Sequence, residues 1–411
     1  MVSRWAQGLL PFLAMAWLLP ACAPHRVYNA EPEQYIRSIP SAATPDQPQA
    51  EDRAVDLAII EFDDHGQLWE PDQLTAAIEL IERRNAEHEG GVAVLVFVHG
   101  WKNNADFDDE KSTFAGFRRS LANISGEFAS SDHELPHHVV GVFIGWRGNS
   151  MTLPLIQQLS FWDRLDTAER VASSLDMQET LLGLMRSTRL NDRSRCYIAG
   201  HSMGGVVVAH SLSPVISTLI MQDGDGGFRA PADMVVLMNP ALEGLTTDRF
   251  LRFLRRHNVR TELRDTETGQ VRPGGPLIVS ITSETDSATK TAFPLGLMVQ
   301  KSGMAFRRDH EPGQPSQRYL ATHAEGQIPQ LATHEARVED GTVVLDALPS
   351  AQESSPFWIV RVTGDIVPDH STFSLPAFDE LLDLIQARAD LFNTGTQAWI
   401  TRDPWIGDGG D

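Results

Sequence analysis

Arg195 to Ser211 reads RCYIAGHSMGGVVVAHS. Tyr197, Ile198 and Ala199 lead into Gly200-His201-Ser202-Met203-Gly204, and an apolar run of helical character, Val206 to Leu212, follows at once. The order is strand, sharp turn, helix. A serine at such a turn takes a strained backbone conformation, and glycines two before and two after it let neighbouring backbone approach without a clashing Cβ. The hydroxyl is thereby pushed above the sheet edge, and the first N–H groups of the helix point at any negative charge forming there. A nucleophile has these needs.

Working outward, the same rhythm recurs. Val92 to Val98 (VAVLVFV) is apolar without alternation, the pattern of a strand buried on both faces of a parallel sheet, and it runs into His99-Gly100-Trp101. Val139 to Ile144 repeats it, ending in Gly145-Trp146-Arg147-Gly148, with a helical region over 161–190 behind it. Further strands are predicted at Val55–Phe62, Met234–Met238, Pro276–Thr282 and Phe357–Val362. A turn at Asp63–Gly66 and a short strand at Gln67–Trp69 would close a hairpin after the first of these. Helices are expected from Pro71, with Leu74, Ala77, Ile78 and Ile81 on one face, over 247–257 with a solvated arginine face, and over 376–391. Strands alternating with helices predict an α/β fold, a doubly wound, mostly parallel sheet flanked by helices, with its site at the carboxyl ends of the strands.

The glycine-flanked Ser202 between strand and helix resembles the nucleophile elbow of the α/β-hydrolase family, of the lipase and esterase kind, and the His-Gly-Trp turn resembles the family's oxyanion turn. In that family the order along the chain is serine, acid, histidine. The resemblance therefore implies Ser202 as nucleophile, Asp286 as acid and His370 as base, with the Trp101 and Met203 N–H groups as oxyanion donors and no metal or organic cofactor. A serine hydroxyl needs such a base, and the base a group that fixes its tautomer. Glu243 and Asp365 remain alternatives for the acid, and His99 reads as a structural part of its turn. The implied activity is hydrolysis of a carboxylic ester, from a small-molecule or lipid substrate, through an acyl-enzyme. Serine peptidase, thioesterase and acyltransferase chemistry use the same parts, and a non-catalytic envelope lipoprotein using the fold as a binding platform is the competing class.

Composition narrows the partners. Lys and Arg number 34 against 55 Asp and Glu, a net charge of −21, which argues against nucleic acid or an anionic surface as an electrostatic partner. Arg4, the apolar stretch Leu9–Leu19 and Leu19-Pro20-Ala21-Cys22 have the layout of a secretory signal ending in a motif that resembles the bacterial lipobox. This implies lipidation at Cys22 and a place in the cell envelope, outer membrane and periplasmic face, with plain secretion as the alternative. Cys196 then stands alone in the strand before Ser202 and reads as core.

The organisation expected is a signal segment over 1–22, a flexible tether over 23–53 reaching about 30 Å, and one domain over 54–411. Within it, 148–165, including the apolar MTLPLIQQLSFW, reads either as a lid or as a segment packed on the core. Residues 296–355 lose the rhythm and read as a surface insertion, whose His310, His323 and His334 lack metal-ligand spacing. Asp223-Gly-Asp225-Gly-Gly227 fails as a calcium loop, because position twelve is Met234 where a glutamate is required.

Overall fold

The computed structural model describes residues 26–41, 54–130, 138–150, 160–222, 227–307, 314–352, 354–391 and 395–402. The signal segment, Cys22, residues 151–159 and the glycine-rich loop at 223–226 lie outside the described residues.

Fourteen strands are described: β1 (Ile36–Pro40), β2 (Ala54–Phe62), β3 (Val92–Val98), β4 (His138–Trp146), β5 (Arg195–His201), β6 (Phe228–Arg229), β7 (Met234–Met238), β8 (Arg260–Asp265), β9 (Val271–Pro273), β10 (Ile278–Ser283), β11 (His334–Glu339), β12 (Thr342–Ala347), β13 (Phe357–Val362) and β14 (Thr396–Thr401). Ten form one sheet in the order β1-β2-β4-β3-β5-β7-β10-β13-β11-β12, antiparallel only at its two edge pairs. β5, which leads to Ser202, is central between β3 and β7. The apolar run of β3 is explained by burial on both faces. Val94, Val96 and Val98 pack with the helices Pro71–Glu87 and Met203–Gln222, while Ala93 and Phe97 face a second cluster containing Phe114 and Leu121 of the helix Thr113–Ser130. Near the other edge, Val279, Ile281 and Val360 pack on Phe378, Leu381 and Ile385 of the helix Pro376–Arg388.

Several expectations need correction. The tether reading fails for residues 26–41. Tyr35 is buried and β1 pairs antiparallel with β2. The cause is a buried acid. Glu61, at the carboxyl end of β2, accepts hydrogen bonds from the Tyr28 N–H (2.9 Å), the Asn29 N–H (2.7 Å) and Asn29 Nδ2 (3.0 Å), while Gln73 bridges Asn29 and Glu61 through its amide. Polar Pro- and Glu-rich sequence can thus be ordered when a single carboxylate collects its backbone donors.

The stretch 296–355 is likewise no plain surface insertion. Its β11 pairs parallel to β13 and turns into β12, extending the main sheet by two strands. The short run Glu-Ala-Arg-Val-Glu hides the strand because β11 is only half covered. The 161–190 region is two helices, Phe161–Ser173 and Leu175–Thr188, divided at Ser174, whose side chain caps the second by accepting from the Met177 N–H. The Gln67–Trp69 strand reduces to a single bridge between Phe62 and Leu68. Not anticipated at all is a separate antiparallel sheet, β6-β14-β8-β9, built from segments far apart in sequence.

Candidate active site

Ser202 has φ +56°, in the left-handed region that costs a side-chain-bearing residue about 1–3 kcal/mol. Its N–H donates to the Met238 carbonyl (2.9 Å), and its own carbonyl accepts from Gly205 and Ala241 N–H groups. Those three bonds hold the strained turn. Gly204 is required here because a Cβ would run into the Val98 carbonyl of β3, and at Gly200 a Cβ would stand 2.6 Å from the Gly204 oxygen. The elbow is therefore wedged against the neighbouring strand.

Three loops at the carboxyl ends of β5, β10 and β13 bring Ser202, Asp286 and His370 together. Ser202 Oγ lies 2.8 Å from His370 Nε2, and His370 Nδ1 lies 2.8 Å from Asp286 Oδ2. A buried ionised carboxylate only accepts, so Nδ1 carries the proton and Nε2 accepts from the serine hydroxyl. Asp286 is completely buried. Burial pushes its carboxyl upward, but the hydrogen bond and charge of His370, the Thr289 hydroxyl at 2.6 Å and the Ala288 N–H at 2.8 Å outweigh that and hold it below the usual range. His370 is partly open to solvent, its side chain 26% exposed.

The alternative acids go elsewhere. Glu243 pairs with Lys301, and Asp365 is exposed. Asp369 accepts from the Ser371 and Thr372 N–H groups and so caps its own turn.

The His99–Trp101 turn lies against the elbow, since a Cβ on Gly100 would stand 2.8 Å from the Ser202 Cβ. Lys102, with φ +68°, donates its N–H to the Gly148 carbonyl, and Asn103 Nδ2 donates to the Trp101 carbonyl. Neither the Trp101 nor the Met203 N–H donates to another group among the described residues. His99 is buried beside Phe143 and Trp146. Its Nε2 accepts from the Trp146 N–H (3.0 Å) and its Nδ1 donates to the Gly100 carbonyl (2.9 Å), an assignment that fits the structural role expected. Burial brings this imidazole down to about 4. Cys196 is buried and its thiol pushed up to about 12 by burial. His334 is buried and stacked on Trp358, and His323 turns its Nδ1 to the Tyr319 carbonyl. His310 lies outside the described residues.

The sequence reading missed the residues that hold the histidine loop. His201, between Gly200 and Ser202 in the elbow, donates from Nε2 to the His370 carbonyl at 2.8 Å. Asn239, at φ +42° after β7, donates from Nδ2 to the Asp369 and His370 carbonyls (3.1 Å each) and accepts from the Ser283 N–H at 2.8 Å. Ser283 Oγ donates to the Val367 carbonyl and Thr285 Oγ1 to that of Pro368. The Asn239-Pro240 pair at a strand end was the one local signal for this brace, and Thr289, three residues after Asp286, the signal for an Asx-type cap.

Residues 76–262 match the model of a family described as "Alpha/beta hydrolase of unknown function (DUF900)". The matched stretch holds the Trp101 turn and the Ser202 elbow and ends before Asp286 and His370. Neither comparison with curated proteins nor comparison with solved structures gives a match. With the sheet order, the elbow and that match together, the chain has the α/β-hydrolase fold.

Proposed function

We propose that this protein is a serine hydrolase of carboxylic esters. The observation that carries the reading is the continuous hydrogen-bonded chain from Ser202 through His370 to Asp286 on a strained elbow. Ser202 Oγ attacks the ester carbonyl carbon while His370 Nε2 takes the hydroxyl proton. Asp286 steadies the imidazolium that results, and the Trp101 and Met203 N–H groups receive the oxyanion, each worth about 3–4 kcal/mol in the transition state. As the tetrahedral species collapses, the ester C–O bond breaks and His370 gives its proton to the departing alcohol. Water then repeats the sequence on the acyl-enzyme, with His370 as base, and frees the acid and Ser202.

An apolar acyl group suits the surroundings. Trp101 packs edge-on to Phe161, Phe161 to Trp162, and Trp162 lies near Phe293. Beyond them the helix Phe293–Gln300, which follows the Asp286 loop, exposes Leu295, Met298 and Val299. Apolar side chains left in water beside a catalytic loop favour a substrate with a hydrocarbon part.

The reading includes lipidation at Cys22 and an envelope location. Four peptide links separate Cys22 from Arg26, a reach of at most about 15 Å. Because Tyr28 and Asn29 are fixed to Glu61 at the carboxyl end of β2, and Tyr28 Oη accepts from Asn104 Nδ2 beside the oxyanion turn, a lipid there would hold the catalytic edge close to a bilayer. This replaces the long tether of the sequence reading.

The test is a chain-length series of chromogenic esters, with thioester and peptide substrates alongside, on the wild-type protein, Ser202→Ala and Asp286→Asn. The serine variant is expected to lose about 10⁵–10⁶-fold in kcat and the asparagine variant about 10⁴-fold. Equal rates for wild type and Ser202→Ala on every substrate would overturn the reading.

A further inference from the structure

The chain is acidic as a whole, yet its charge is not evenly spread. The helix Gly244–Arg256 places Arg249, Arg252 and Arg256 three and seven residues apart, on one face, with Arg255 beside them. Together with Arg307 from another segment they line a cleft of about 890 Å³. Among the described residues lining it there is one carboxylate, Asp248, and it is taken by Arg252 at 2.7 Å. Arg249, Arg256 and Arg307 make no ion pair among the described residues.

A bland account explains part of this. Cations in a last helical turn offset the macrodipole, and Arg255 and Arg256 occupy that turn. It does not explain Arg252 and Arg249, one and two turns earlier, nor Arg307 on a separate segment. Like charges gathered round a concavity repel one another, so an unoccupied cleft of this kind carries a cost that an anionic ligand would remove. The guanidinium fork matches phosphate oxygens two at a time.

We propose that this cleft binds two or more phosphate groups at once, from one polyphosphate or from adjacent headgroups, at a site separate from the Ser202 centre. The helix begins at the carboxyl end of the sheet, just after β7, and its arginines lie along the part that runs away from it. At 1.5 Å per residue Arg256 is about 18 Å from the helix start. A ligand held there does not touch Ser202, so the site serves recruitment or regulation rather than turnover. The proposal stands on cleft geometry and charge and is independent of the ester reading.

The phosphates could belong to a soluble polyphosphate compound or to phospholipid headgroups, and two probes distinguish them. Binding of inorganic tripolyphosphate to the full chain is followed by titration calorimetry. Flotation is run with phosphatidylcholine vesicles with and without phosphatidylglycerol. The variants are Arg252→Gln/Arg307→Gln and, as a charge-matched control outside the cleft, Arg119→Gln/Arg186→Gln. Tripolyphosphate binding weakened at least tenfold in the cleft variant alone supports a soluble ligand. Flotation that needs phosphatidylglycerol and is lost in the cleft variant alone supports a headgroup. No binding of either probe at physiological ionic strength, or equal losses in both variants, overturns the proposal. Ester hydrolysis unchanged in the cleft variant shows that it is folded, and a circular dichroism melt gives the same control if no ester is turned over.

Discussion

His201 Nε2 donates to the main-chain carbonyl of His370, so the residue next to the elbow serine holds the backbone of the histidine that the serine faces. Burial, with the His370 ring nearby, brings the His201 imidazole down to about 4, so it stays neutral and keeps this single tautomer at neutral pH. The same carbonyl accepts from Asn239, and two donors on one oxygen fix where the loop after β13 can sit.

A positioning role for His201 separates from a catalytic one in the kinetics. His201→Ala is expected to lower kcat about 10- to 100-fold with KM little changed, because a loosened base costs alignment rather than binding. His201→Gln, which can still donate to the carbonyl, should recover much of the loss. A glutamine variant as poor as the alanine variant would speak against the hydrogen bond.

The N-terminal clamp gives a stability prediction. Removing residues 1–25 should leave the melting temperature unchanged, whereas removing 1–41 strips β1 from the edge of β2 and leaves the buried Glu61 carboxyl without Tyr28 and Asn29. An orphaned buried group costs about 1–3 kcal/mol, and a bared strand edge invites association. Melting curves and light scattering on the two truncations check this, and equal behaviour would contradict it.

Acid should destabilise the fold above the pH at which ordinary carboxylates protonate. His99, His201 and His334 are each brought down to about 4, chiefly by burial, and remain neutral in the folded chain. Their depressed values give stability that is fully present above about 6.5 and is lost as the pH falls toward 4, by up to about 1.4 kcal/mol per pH unit for each histidine. Asp56, held near 2 by His138 and Arg84 against the effect of burial, contributes only to losses below the ordinary carboxylate range. Denaturant midpoints from pH 7 to 4 should fall steeply, and a flat profile would refute the assignment.

Glu325 carries the opposite sign. It is fully buried, one oxygen accepts from the Thr247 hydroxyl, and burial raises its carboxyl to about 7. Its raised value favours the fold at low pH, and that stability is lost as the pH rises from the unfolded value to about 7. Glu325→Gln should therefore gain melting temperature over wild type as the pH goes from 5 to 8, levelling off above 7. A difference that does not change with pH would exclude ionisation as its cause.

Much of the fold was legible in one dimension because its physics is local. Short, β-branched apolar runs bounded by turns, as in β3, read as strands covered on both faces, and glycines at 200 and 204 around a serine between strand and helix mark the elbow. The resemblance to α/β-hydrolases, with its order of serine, acid and histidine at strand ends, implied Ser202, Asp286 and His370. What the sequence could not determine is whether those three meet, which depends on β5, β10 and β13 lying near one another in a sheet whose order differs from chain order. The same limit hid Glu61 gathering Tyr28 and Asn29 from a polar stretch, β11 and β12 extending the sheet, and Asn239 and His201 bracing the histidine loop. It also hid a five-arginine cleft in a chain of net charge −21, because a sum of charges carries no positions. Each of these is a contact between residues remote in sequence, whose energy exists only once the sheet has brought the partners together.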